Sequence, residues 1–120
     1  MVQLSADVVA ATAAALNLTQ VVLTPPLNWI AGNSLFPSQV IAGYHADVSE
    51  YTVEEWSAYM LDACKSFTAC TSVDGFQGTD SGSTGGRFWF GYVYRGGATD
   101  ESLYVRYEGV TDSFAWTVAT

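Results

Sequence analysis

Positive charge is what this sequence has least of. Lys65 is the only lysine, Arg87, Arg95 and Arg106 are the only arginines, and twelve acidic residues leave a formal net charge of −8. A field of that sign repels phosphate backbones and anionic lipid surfaces, which argues against nucleic acid and membrane insertion or adsorption as partners. Cysteine is nearly as scarce, with Cys64 and Cys70 alone, and His45 is the only histidine. Two thiols and one distant imidazole supply neither the number nor the spacing of ligands that a metal site needs. No Gly-x-Ser-x-Gly, His-Glu-x-x-His or phosphate-loop pattern accompanies His45, so nucleophilic catalysis has no constellation to stand on and no cofactor motif is visible. Long apolar runs are missing too. The stretch Val8 to Leu16 is broken by Thr12 and follows Asp7, which fits neither a spanning helix nor an intact signal peptide.

What is present is core-forming material. Apolar residues make up 49% of the 120 positions and charged ones 13%, a composition that folds rather than one that stays disordered. The length gives room for one core, so residues 1–120 read as a single domain. Four Trp, seven Tyr and six Phe exceed what a minimal core uses. They point either to an aromatic-rich interior or to rings at an interface.

Local signals outline an α+β fold. Ser5 before an alanine-rich run to Leu16 predicts a short, capped N-terminal helix stopped near Asn17, and Asn17-Leu18-Thr19 is a glycosylation-type triplet. Val21-Val22-Leu23 reads as an edge strand halted by Pro25-Pro26, Leu27 to Ser38 as a loop, and Gln39 to His45 as a further strand. Thr52-Val53-Glu54-Glu55 is a capping box, in which the threonine hydroxyl and the glutamate three residues on satisfy orphan amides reciprocally. The helix it opens carries Val53, Trp56, Met60, Cys64 and Phe67 as one apolar stripe. That stripe has to pack on something, and the strands expected at Thr71–Phe76, Arg87–Arg95, Ser102–Glu108 and Ser113–Ala119 offer it a face. Gly75 to Gly86 reads as a loop; Gly96-Gly97 with Asp100, and Gly109 to Asp112, read as hairpin turns. The expectation is an antiparallel sheet of four to five strands, a meander, with one main helix on one face.

Cys64 and Cys70 are six apart, a helical rise of about 9 Å that a disulfide does not span. If the helix ends near Thr68, the two can bridge helix to sheet; two buried free thiols are the alternative. Glu54, Glu55, Asp74 and Asp80 are candidates for paired-carboxylate chemistry by residue type only, solvated charge being the plainer reading. Asp74, Asp80 and Ser81 lack the alternating acidic pattern of a calcium loop. The segment Arg87 to Arg95 is apolar on both faces, Phe88, Phe90, Tyr92 and Tyr94 on one and Trp89 and Val93 on the other. One face is served by the helix. The other is covered by more of the same chain, by a second copy, or by a ligand.

Gly43-Tyr44, the helix end Leu61-Asp62-Ala63-Cys64, the run Phe67 to Phe76, the glycine-rich loop and the aromatic strand from Phe88 together resemble PAN/apple-type domains of secreted fungal proteins. The resemblance spans about Val40 to Val118. It implies a cysteine-bearing helix cradled by an antiparallel sheet, an extracellular location, and non-catalytic binding of protein or carbohydrate, in the company of small immunomodulatory or lectin-like proteins. The chain departs from that pattern on the aromatic strand, where Trp89 to Tyr92 stand in place of a further cysteine, so neither the full cross-linking nor a ligand site carries over.

The functional expectation is a secreted binding module for carbohydrate or a cell-surface protein. The alternatives are a protein that self-associates, as a homodimer, through its aromatic sheet face, and, behind it, a small hydrolase. Alternation assigns Leu103, Val105 and Tyr107, with Phe114, Trp116 and Val118, to the helix side. If Phe88, Phe90, Tyr92 and Tyr94 join them, Trp89, Tyr104, Arg106 and Arg95 are left on the outer face as the binding residues, rings beside guanidinium groups. A one-residue change of register inverts the assignment.

Overall fold

A computed structural model describes residues 18–79 and 86–119. The expected N-terminal helix, Asn17, Asp80 and Ser81 lie outside the described residues. The fold is α+β. Strands β1 (Leu18–Gln20), β3 (Val40–Asp47), β4 (Ser72–Thr79), β5 (Arg87–Tyr94) and β7 (Thr111–Val118) form one antiparallel sheet in the order β1-β7-β4-β5-β3. Strands β2 (Trp29–Ala31) and β6 (Tyr104–Arg106) form a separate two-stranded ribbon. Helix α1 spans Val53–Lys65.

The capping box of α1 is formed as its sequence dictates. The Glu55 amide donates to Thr52 Oγ1 at 3.1 Å and the Thr52 amide donates to Glu55 Oε1 at 2.9 Å. Trp56, Met60 and Cys64 are buried on the face turned to the sheet, where they meet Val73, Trp89, Val93 and Phe114. Each such large side chain taken out of water contributes about 1.5–3 kcal/mol before entropy is counted. The helix stops after Lys65, the next turns running through Phe67 N–H to Cys64 O and Cys70 N–H to Phe67 O, both 3.1 Å. That change of direction brings Cys64 and Cys70 to a Cα separation of 5.4 Å, and they are joined in a disulfide.

Parity on β5 is the reverse of what counting aromatics suggests. Trp89, Gly91 and Val93 face α1, because a helix can lie close to the sheet only over a small residue: a Cβ on Gly91 would stand 2.4 Å from Met60 Sδ. Gly75 on β4 plays the same part beneath the Phe114 ring, at 2.3 Å. Hence β4 continues through the glycines to Thr79, beyond the Gly75 at which the sequence suggests a loop. Phe114 and Trp116 do lie on the helix side, and the Trp116 indole donates to Ser57 Oγ at 2.7 Å.

The other sheet face is covered by the chain itself. After β1 the chain leaves the ladder by way of the Val21 amide, bonded to Ala115 O at 2.8 Å, and Val21 and Leu23 turn inward with Leu35, Tyr94, Tyr104 and Ala115 to make a second core. Segment 27–38, expected as a loop, contains β2. The expected meander fails at its third strand. Gly96 and Gly97 take positive φ angles of 108° and 100°, and the chain leaves β5 without pairing back on it, so β6 crosses the sheet face and pairs with β2 instead. Side-chain parity there is inverted as well: Val105 and Tyr107 are exposed, and Tyr104 is the inward residue.

Candidate functional site

The four residues assigned by alternation to an outer binding face do not share one. Trp89 is 1% exposed, stacked near Trp56 with its indole N–H donating to Tyr51 O at 2.9 Å, a core residue beneath the helix. Tyr104 is 4% exposed and its hydroxyl meets Thr99 Oγ1 at 3.0 Å. Arg106 lies over the Trp29 ring, 4.0 Å from its centroid, and donates to Pro26 O and to Asn28 Oδ1, which ties the ribbon to the Pro-rich turn. Arg95 alone is an exposed group with little to hold it, reaching Ser38 O at 3.4 Å. Trp89, Tyr104 and Arg106 are occupied with the fold, and the assignment is corrected by the register of β5 and the crossing of β6.

With Trp89 turned inward, the other set of β5 side chains faces away from α1. Phe88, Phe90 and Tyr92 are half-buried there, beside Phe76 of β4. The rings of Phe76 and Phe90 have centroids 5.8 Å apart, and Phe36 meets Tyr92 edge-on at 5.1 Å. The β2–β6 ribbon and the β6–β7 turn stand over part of this aromatic floor and leave a cleft of about 360 Å³, floored by Phe76, Gly78, Phe90 and Tyr92 and rimmed by Ile30, Thr79, Tyr107, Glu108 and Val110. Tyr107 at this opening is 56% exposed and Phe36, packed on Tyr92 beside it, is 42% exposed, so apolar surface remains in water along this face. Arg87 fixes one rim. Its guanidinium donates to Gly109 O, Gln77 O and Thr111 Oγ1, each at 3.0 Å, holding the β6–β7 turn against the end of β4.

A smaller chamber of about 130 Å³ adjoins the cleft and shares Ile30, Phe76 and Tyr92 with it; Phe36, Asp74 and Tyr94 complete the walls that matter here. Asp74 is 3% exposed in these apolar surroundings. Its Oδ1 accepts from the Tyr94 hydroxyl at 3.1 Å, while Oδ2 is buried with no hydrogen-bond partner. Burial pushes its pKa up to about 7, against the partial opposition of the Tyr94 hydroxyl and the Tyr92 backbone. Burial, and then the Asp74 charge, likewise push the Tyr94 hydroxyl upward, so it stays a donor. Ser72, one position along the same strand face, also has a buried and unpartnered Oγ. An unsatisfied buried carboxyl oxygen costs folding free energy, which makes this chamber the least self-sufficient point of the described structure.

Glu54 and Glu55 are exposed on the first turn of α1, remote in role from Asp74, and Glu55 is engaged in the cap. Among the described residues no three His, Cys, Asp or Glu side chains converge where a metal ion could sit, and no helix is long and apolar enough to cross a membrane. Sequence reasoning misses the cleft because alternation assigns its floor to the helix side of the sheet. The signal that could have found it is Gly91, whose place among Trp89 and Val93 marks that set as the one lying under a helix. No protein-family model, curated protein or solved structure matches the chain.

Proposed function

We propose that this protein is a secreted, non-catalytic binding module whose aromatic cleft receives carbohydrate. The observation that carries the reading is the floor of Phe76, Phe90 and Tyr92, partly exposed rings on the sheet, bordered by the polar groups of Thr79, Tyr107 and Glu108. Sugar rings have one face of C–H groups and an edge of hydroxyls, and a ring floor with a polar rim is complementary to both. A cleft of about 360 Å³ suits one or two sugar rings. The Cys64–Cys70 disulfide supports an oxidising, extracellular setting. The PAN/apple resemblance points the same way.

The test is a glycan array followed by calorimetric titration of the best oligosaccharide, with Phe90→Ala as the control variant. Affinity should fall by about tenfold or more in that variant while the product pool shows no cleaved sugar. Array silence, or equal affinity in Phe90→Ala, removes the reading. A second reading, self-association through the same face, is favoured by the exposure of Phe36 and Tyr107. Sedimentation equilibrium without ligand separates the two, since only self-association makes the mass depend on concentration.

A further inference from the structure

The cleft reading leaves the Asp74 chamber unused, and the chamber has its own chemistry. One carboxyl group, Asp74, stands among its walls with Phe36, Phe76, Tyr92 and Tyr94, and its buried Oδ2 has no hydrogen-bond partner. A hydroxyl could supply the missing hydrogen bond, but a cation is better matched: ring faces attract positive charge, the carboxylate attracts it more, and a net charge of −8 draws cations toward the protein from solution. Resting on the cleft proposal, we infer that the ligand is an amino sugar with a free primary amine, its ammonium seated in the chamber against Asp74 Oδ2 and its ring lying on Phe76, Phe90 and Tyr92. The ammonium carries three donors, enough to serve Asp74 and still reach a hydroxyl nearby. An N-acetylated sugar keeps the ring and loses the charge, so it fills the cleft without giving the carboxylate a counter-charge.

The same arrangement makes binding proton-linked. The titratable groups facing Asp74 are Tyr92 and Tyr94 of β5 and Tyr104 of β6, all held protonated by burial, so Asp74 is the group of this cluster that changes charge near neutrality. A seated ammonium favours the carboxylate and pulls its pKa down.

The experiment compares a glucosamine trimer with the N-acetylglucosamine trimer by calorimetry, on the native protein and on Asp74→Asn. The free-amine trimer should bind the native protein about tenfold or more tightly than its acetylated counterpart. Asp74→Asn should erase that preference, so that the free-amine trimer binds the variant no more tightly than the acetylated one does. The 13C carboxyl resonance of Asp74, followed against pH in the native protein, should show its midpoint falling when the amine trimer saturates the site, and this decides the matter if the variant does not fold. Equal affinity for both trimers overturns the ammonium inference and leaves the cleft standing. An amine preference that survives Asp74→Asn, or an unmoved Asp74 midpoint, also overturns it. Silence of both trimers, and of every other glycan, removes the cleft reading as well.

Discussion

Asp74 should make the protein less stable as pH rises through the weakly acidic range, and Asp74→Asn should abolish that dependence. The carboxyl group has an ordinary pKa of 3.8 and is pushed to about 7 by burial in the fold. Between those values the folded state holds a proton that the unfolded state has released, so stability falls with pH. The sign is opposite to that of a salt-bridged aspartate. Its contribution is fully present below about pH 4, declines through the interval and levels off above about pH 7. The rise from 3.8 to about 7 corresponds to roughly 4 kcal/mol. Asparagine keeps an oxygen for the Tyr94 hydroxyl and carries no charge to desolvate. It should therefore match the native protein within about 1 kcal/mol near pH 4 and exceed it by about 2–4 kcal/mol near pH 8. Asp100 and Glu101, held below their ordinary values by Ser102 and by the Thr24 amide, titrate the opposite way at lower pH, and being common to both proteins they cancel in the difference. Urea unfolding followed by tryptophan fluorescence at about pH 4, 6 and 8 gives the curves. Parallel pH profiles for the two proteins, or a variant weaker at every pH, would refute the reasoning.

Thr52→Ala should lower stability by about 1 kcal/mol, read from the denaturant midpoint, since its hydroxyl satisfies the Glu55 amide. Thiol titration of the denatured, unreduced protein should find no free thiol, and Cys64→Ala with Cys70→Ala should cost about 2 kcal/mol, a small gain because the closed loop is short. Gly91→Ala should destabilise by about 1–3 kcal/mol, because its methyl would displace Met60 and lift α1 from the sheet; an unchanged melting temperature would contradict the packing described for that strand.

The parts of the fold that could be read from the chain are those whose physics is local. Thr52 and Glu55 are three residues apart and bond only to each other's backbone, so the start of α1 needs no knowledge of the rest. The Cys64–Cys70 bridge follows from where that helix ends. The strands' existence is legible in their β-branched and aromatic residues, but their partners are not: β6 has a strand's composition whether it joins the main sheet or crosses it, and only β2, more than seventy residues earlier, decides. The site was lost through parity. Two apolar sets alternate along β5, and hydrophobicity ranks the Phe88, Phe90, Tyr92 and Tyr94 set as the more buried, whereas the helix needs the set containing Gly91. Asp74 was hidden for a related reason. A carboxylate in a strand ordinarily marks the solvent face, and here it lies on the face opposite the helix, yet that face is roofed by a ribbon which the local sequence does not announce. A buried acid with a free oxygen is tolerated at a measurable cost in stability, and such costs persist where something repays them. In this protein the repayment proposed is a ligand, so the same Asp74→Asn substitution that strengthens the fold at neutral pH should weaken recognition, and a variant gaining stability with no loss of amine binding would break the link between the two.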